Sequence, residues 1–171
     1  MIHSSTSLEE SYGSLLNQVS VFRERPQIRE LSGGLTNRNL FIENSLGKFV
    51  ARISSNSSSL LSIDRESEYQ NSKLAAEVGI APEVIDYLPG QGLLAIKYIE
   101  GHTLSASGVN ENLSRIAQSC RTLHSSQRFV RDFNMFSLQK TYLDIVQSRG
   151  FQLPKNYLTY SDKMLVNASC T

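Results

Sequence analysis

The sequence predicts an α+β fold in which an antiparallel sheet is followed by a mainly helical segment. Between residues 27 and 99, short runs of extended-type residues are separated by glycine-containing turns and by one helical stretch. From residue 101 onward, apolar residues follow helical spacing, and glycine and proline become rarer. At 171 residues and 40% hydrophobic content, the chain is long enough for one well-packed domain or for one and a half small ones.

The first part of the chain begins with a helix and three strands. Apolar residues at helical spacing predict a helix from Ser7 to Val19, and Ser7 with Glu10 matches a capping box. Three extended runs follow, with glycine turns between them: Gln27 to Leu31, Arg38 to Asn44 and Lys48 to Ile53. Because a parallel pair needs a long crossover, strands joined this tightly are expected to be antiparallel.

A second helix is predicted to begin after Asp64, whose side chain is a suitable N-cap. Glu66 and Glu68 lie in its first turns, where the helix dipole favours carboxylates. Gly79 is a natural C-terminal stop, and Pro82 prevents continuation. Two further strands are predicted on either side of a Pro-Gly-Gln-Gly turn: Glu83 to Leu88 and Leu93 to Ile99.

The remainder of the chain is predicted to be helical, with a lobe boundary near Glu100. Helical spacing predicts three segments, the last of them weak: Asn112 to His124, Leu138 to Arg149 and Lys155 to Val166. In the first of these, one face is apolar, and Cys120 on that face is expected to be a core residue.

Composition excludes several classes of protein. Seventeen Lys and Arg residues balance sixteen Asp and Glu residues, so the charge of +1 gives no electrostatic footprint for nucleic acid or an anionic membrane. Two distant cysteines, Cys120 and Cys170, argue against a disulfide-stapled secreted fold. No signal peptide and no run of about 20 apolar residues is present, so neither secretion nor membrane insertion is indicated. A cytoplasmic location is therefore expected.

The residues with the clearest chemical implication are a glycine loop and a cation on the following strand. The loop from Leu31 to Asn37 contains two glycines with hydroxyl and amide side chains, which suits phosphate oxygens, although alone it could be an ordinary hairpin. Arg52 lies among apolar neighbours on the third strand, and such a cation is costly to bury unless it is paired. Glu66 and Glu68 on the next helix are candidate partners. Loop, strand cation and helix carboxylate together are the phosphate-binding arrangement of kinase N-lobes.

Five motifs in a fixed order make a family resemblance specific. They are Leu31-Ser-Gly-Gly-Leu-Thr-Asn-Arg-Asn39, Val50-Ala-Arg-Ile53, Ile63-Asp-Arg-Glu-Ser-Glu-Tyr69, Ala75-Ala-Glu-Val-Gly-Ile-Ala-Pro-Glu-Val84 and Tyr98-Ile-Glu-Gly101. Over roughly residues 27 to 130, the chain resembles the N-terminal part of the bacterial choline kinases and their relatives among the choline, ethanolamine, thiamine and aminoglycoside phosphotransferases. The resemblance implies a protein-kinase-like N-lobe over residues 1–99, with a five-stranded antiparallel sheet and one main helix. Residues 100–171 would form the hinge and the first helices of an incomplete helical C-lobe.

The resemblance also implies roles for individual residues. Arg52 stands where family members place the phosphate-binding cation, and Glu68 rather than Glu66 would be its partner. Val50 would line the adenine pocket. The loop over the ATP phosphates would include Ser32, Gly33, Gly34, Thr36 and Asn37. The hinge whose backbone binds the adenine edge would be Lys97, Tyr98 and Ile99.

The catalytic motifs of the family are missing from the sequence. The family's catalytic base lies in a His-x-Asp-x-x-x-x-Asn segment, and a second Asp binds magnesium; neither segment occurs here. Asp132 is rejected as a substitute, since Ser137 stands five positions later where Asn is required. No catalytic or metal-binding residue is therefore assigned in this chain, and the Mg²⁺ ligands are expected beyond its end. Without them, phosphoryl transfer by the chain itself is not expected.

The resemblance implies that the parent enzyme transfers the γ-phosphate of ATP to the hydroxyl of choline or a similar amino alcohol. Thiamine, ethanolamine or an aminoglycoside stay open as acceptors. A non-catalytic module that binds nucleotide or a protein partner is the alternative from another class. Self-association through exposed apolar faces of the C-lobe helices is a further expectation.

Overall fold

A computed structural model describes residues 5–24, 27–32, 37–54, 64–131, 134–154 and 157. These residues form two compact units. The first holds the described residues of Met1–Asn56 and Asp64–Val130, and the second holds the described residues of Arg131–Thr171. The lobe boundary at residues 99 and 100 stays a prediction.

The first unit is built on a five-stranded antiparallel sheet, as the sequence predicted. Its strands are β1 (Gln27–Leu31), β2 (Asn37–Asn44), β3 (Gly47–Ser54), β4 (Val84–Leu88) and β5 (Leu93–Lys97). The order across the sheet is β1-β2-β3-β5-β4, so β5 pairs with β3 and leaves β4 at an edge. This order places the middle of β3 at the centre of the sheet, with a strand on each side.

One face of the sheet, the core face, carries the hydrophobic core. Alternation along β3 directs Phe49, Ala51 and Ile53 to this face, and all three are buried. Helix α1 (Ser5–Leu16) and a 3₁₀ turn (Ser20–Phe22) cover it. The ring of Phe22 meets that of Phe49 edge to face, with centroids 5.8 Å apart. The core face is thus covered by the N-terminal helix and the 3₁₀ turn, and the opposite face of the sheet is the one that carries Arg52.

Helix α2 (Arg65–Glu77) begins and ends at the predicted signals. The Asp64 side chain accepts hydrogen bonds from the backbone N–H groups of Glu66 and Ser67. At the other end, Gly79 has φ of +74°. The N–H of Gly79 donates to Ala76 O, and the N–H of Ile80 donates to Ala75 O, which is the Schellman pattern. Both ends of α2 are therefore fixed by local sequence.

Three helices follow the sheet. Helices α3 (Ala106–Glu111) and α4 (Leu113–His124) belong to the first unit, and α5 (Met135–Ser148) belongs to the second. Helix α3 was not predicted; its N-cap is Ser105, which accepts from Gly108 N–H. Among the described residues, no helix is long and apolar enough to cross a membrane.

The prediction that Cys120 on α4 is a core residue was wrong. No residue of α4 is buried: Leu113 is 57% exposed, and Cys120 is exposed with a free thiol. Burial requires a partner surface, and amphipathic spacing cannot show whether one is present. The predicted helix from Lys155 to Val166 lies outside the described residues except for Tyr157, which is helical.

Candidate functional site

The face of the sheet opposite the core, here called the Arg52 face, carries Arg52 beside apolar side chains of β2, β3 and β5. Val50 and Arg52 point to it from β3, since they alternate with the core residues. Cross-strand pairing places Phe41 beside Val50 and Leu94 beside Arg52 on the same face. Val50 is 9% exposed and Phe41 5%. These two apolar side chains are therefore largely covered, whereas the Arg52 side chain beside them is 38% exposed.

Arg52 belongs to a charge cluster with Glu68 and Arg65, both on α2. Arg52 Nη2 lies 2.7 Å from Glu68 Oε1, and Arg65 Nη1 lies 2.5 Å from Glu68 Oε2. Each carboxylate oxygen therefore has its own guanidinium. The Arg52 side chain is 38% exposed, whereas those of Arg65 and Glu68 are 17% and 20% exposed. Of the two arginines, Arg52 is thus the one that solvent or a ligand reaches more easily.

Of the two described ends of the predicted phosphate loop, Asn37 contacts this charge cluster. Ser32 is exposed just after β1, and Asn37 is the half-buried first residue of β2. Asn37 Oδ1 accepts a hydrogen bond from Arg65 Nη2 at 3.1 Å. Gly33, Gly34 and Thr36 lie outside the described residues, so their place in the loop stays a prediction. One predicted loop residue, Asn37, is therefore linked to Glu68 through Arg65.

Two tyrosines line a small cavity together with the charge cluster. The rings of Tyr69 on α2 and Tyr87 on β4 are stacked, with centroids 4.6 Å apart and an interplanar angle of 14°. Burial, followed by the carboxylates of Glu66, Asp64 and Glu68, raises the pKa of Tyr87. The cavity lined by these tyrosines and the charge cluster has a volume of ≈ 10 Å³, room for about one water molecule. This cavity is therefore too small to hold a group larger than a water molecule beside Arg52.

The predicted hinge follows β5 and has two of its N–H groups already engaged. The N–H of Lys97 donates to Glu83 O at 2.8 Å, and the N–H of Tyr98 donates to Lys48 O at 2.9 Å. Ile99 is 61% exposed, and its N–H makes no backbone hydrogen bond within the described part of the chain. Of the three hinge residues, Ile99 is therefore the one whose N–H is available to an incoming acceptor.

A surface ion pair flanks the hinge. The ammonium of Lys48 bonds the carboxylate of Glu100, and this hydrogen bond is the main reason why the pKa of Glu100 lies below its ordinary value. The same bond raises the pKa of Lys48.

Two residues of the site escaped the sequence prediction. Arg65 lies three residues before Glu68, a spacing that places both side chains on one face of a helix and could have indicated the contact. Phe41 alternates with core residues along β2, but its pairing with Val50 became visible only with the strand register. The Arg29 guanidinium lies 4.1 Å from the centroid of the Phe41 ring, and the Tyr98 ring meets Phe41 edge to face with centroids 4.8 Å apart.

A metal site is not assembled by the residues described here. Within these ranges, no group of three or more His, Cys, Asp or Glu side chains is placed to hold an ion. What the Arg52 face can do chemically is bind an anion at Arg52, whose guanidinium is the exposed group of the charge cluster.

Comparisons with known proteins agree with this geometry. Residues 27–149 match the phosphotransferase enzyme family. Protein LicA of Haemophilus influenzae is 31% identical over 122 residues, which make up 69% of this chain and 36% of that protein. The chain thus spans about a third of the length of this curated relative.

Solved structures show the same fold. A choline/ethanolamine kinase family protein from Mesorhizobium loti superposes with a TM-score of 0.70 at 24% identity, covering 92% of this chain and 51% of that one. Choline kinase LicA from Streptococcus pneumoniae gives a TM-score of 0.70 at 21% identity, covering 96% and 55%. A structure of LicA in complex with AMP gives 0.69 at 19% identity, covering 96% and 56%. The predicted kinase-like fold and the resemblance drawn from the five motifs are confirmed.

Proposed function

The chain belongs to the phosphotransferase enzyme family, and we propose that it binds ATP on the Arg52 face of its sheet. In the whole protein, the γ-phosphate would pass to the hydroxyl of choline or a similar small amino alcohol. Mg²⁺ would accompany the nucleotide, with its ligands outside this chain.

The observation that carries the proposal is the ion pair between Arg52 and Glu68. It holds a half-exposed guanidinium at the centre of a sheet, next to the end of the loop at Asn37. Guanidinium forks match phosphate oxygens, and electrostatic stabilisation with positioning supplies most of the catalysis in phosphoryl transfer. Ser32, Gly33, Gly34 and Thr36 would cover the phosphates, and Val50 with the hinge from Lys97 to Ile99 would hold the adenine.

The amino-alcohol acceptor is supported by the family and by the names of the similar structures. Two of those structures are described as a choline kinase and a choline/ethanolamine kinase family protein. Because this chain spans about half of each, the reaction is proposed for the whole protein. Within the given sequence, no His-x-Asp-x-x-x-x-Asn segment supplies a base.

Thermal unfolding with and without ATP tests nucleotide binding. A ligand that binds only the folded state stabilises it by about 2.7 kcal/mol at one hundred times its Kd, so ATP should raise the melting temperature. Arg52→Ala should abolish this shift. Arg38→Ala is the matched control, since Arg38 is also an ion-paired strand arginine but bonds Glu30 and Tyr12 at the core face. No shift in the unmodified chain, or a shift that survives Arg52→Ala, would contradict the proposal.

The gene sequence beyond Thr171 bears on the reaction itself. A reading frame that continues into His-x-Asp-x-x-x-x-Asn supports phosphoryl transfer, and assays with choline, ethanolamine, thiamine and an aminoglycoside would then identify the acceptor. A stop codon directly after Thr171 would instead favour a non-catalytic nucleotide-binding module.

A further inference from the structure

Arg65 is the first residue of α2, and its guanidinium joins two elements of the candidate site. It donates to Glu68 Oε2 at 2.5 Å and to Asn37 Oδ1 at 3.1 Å, so it links the helix to the start of β2. Its side chain is 17% exposed. A residue that holds both the partner of Arg52 and the end of the phosphate loop can control how each is presented.

Charge counting shows what Arg65 adds. Arg52 and Glu68 alone would form a neutral pair, and an incoming phosphate would have to compete with the carboxylate for the same guanidinium. With Arg65 bound to the second oxygen of Glu68, the three groups carry a net charge of +1. Arg52 can then turn to a phosphate without leaving Glu68 as an unpaired, largely buried carboxylate, which would be strongly unfavourable.

The burial of Arg65 also needs an explanation. Its Nε–H group is fully buried and has no hydrogen-bond partner among the described residues. Such groups are rare in folded proteins because an unmade hydrogen bond is costly, and each calls for a reason. The two bonds from its terminal nitrogens, to Glu68 and Asn37, hold the guanidinium in this position.

We propose that Arg65 is a positioning residue for phosphate binding: it neutralises Glu68 and holds Asn37, so that Arg52 is released to the phosphates of a nucleotide. This inference rests on the proposed function. It gives Arg65 no direct contact with the ligand, and it predicts that Arg65 matters for the phosphates of a nucleotide and not for its nucleoside part.

NMR titration of the intact chain with ADP and, separately, with adenosine tests the inference. Arg65→Met should weaken ADP binding at least tenfold and leave adenosine binding within twofold. Arg65→Lys keeps the charge beside Glu68 but loses the fork to Asn37, so it should give an intermediate loss for ADP. Arg38→Met is the matched control and should bind both ligands like the unmodified chain, because Arg38 lies on the other side of the sheet. Selective loss of ADP binding is a result that a merely structural role would not give.

The possible outcomes separate the two proposals. If the intact chain binds ADP and Arg65→Met binds it equally well, or loses ADP and adenosine to the same degree, the positioning role is wrong while nucleotide binding stands. If the intact chain does not bind ADP, the proposed function is wrong, and the positioning role of Arg65, which rests on it, is wrong as well. If Arg65→Met does not fold, Arg65→Lys decides, since it must still lose ADP affinity selectively.

Discussion

Replacing Glu68 by glutamine should destabilise the first unit substantially, because one carboxylate serves two arginines. The bond to Arg65, between side chains 17% and 20% exposed, is comparable to a hydrogen bond to a charged group, worth about 1.5–3 kcal/mol. The bond to Arg52, a side chain 38% exposed, is screened by solvent and contributes about 0.2–1 kcal/mol. Glutamine keeps the shape and loses the charge, so we expect the free energy of unfolding to fall by about 2–4 kcal/mol.

Urea unfolding followed by far-UV circular dichroism measures this loss, provided that the variant and the unmodified chain have the same slope of unfolding free energy against urea concentration. Glu30→Gln is the matched control, since Glu30 also pairs with a strand arginine, Arg38, at 2.9 Å. That pair is 42% and 33% exposed, so the control should lose only about 0.2–1 kcal/mol. Equal losses of unfolding free energy in the two variants would refute the argument that Glu68 is shielded from solvent and pairs with two arginines at once.

Two further predictions concern the surface. Lys48→Met should raise the pKa of Glu100 toward its ordinary value, and NMR titration of the carboxyl group measures this change. Because the pKa of Glu100 is lower in the folded than in the unfolded chain, the pair stabilises the fold at pH values above the unfolded-state pKa. This stabilisation is lost as the pH falls through the pKa of Glu100 in the folded state. An unchanged pKa would contradict the assignment. The exposed apolar face of α4 should drive self-association, which light scattering detects. Leu113→Glu should reduce this association, and a monodisperse monomer of the unmodified chain would contradict the prediction.

The local elements of the first unit were predictable because their signals are local. Strand β1 has the predicted bounds, and the ends of β2 and β3 each differ from the predicted ends by at most one residue. The N-cap at Asp64 and the stop at Gly79 are formed by contacts within a few residues of chain. Helix α3 was missed because its six residues, Ala106–Glu111, are too few to show an apolar period.

The candidate site was predictable only in part. Arg52 and Glu68 could be chosen because the motifs fix their order, and the ion pair between them is present. Their role toward a nucleotide stays a prediction. Arg65 was overlooked since a surface arginine at a helix start is usually solvated, and only its two bonds, to Glu68 and Asn37, distinguish it.

By itself, the sequence determined the kinds of element, most of their ends and the family, because caps, turns and ordered motifs act over short stretches of chain. The tertiary structure decided what depends on distant partners. It placed β5 beside β3, brought Glu68 and Arg65 to Arg52, and left the face of α4 uncovered although its spacing is that of a core helix. Burial and charge pairing are properties of surfaces that meet in space, and residue spacing along one segment cannot specify the other surface.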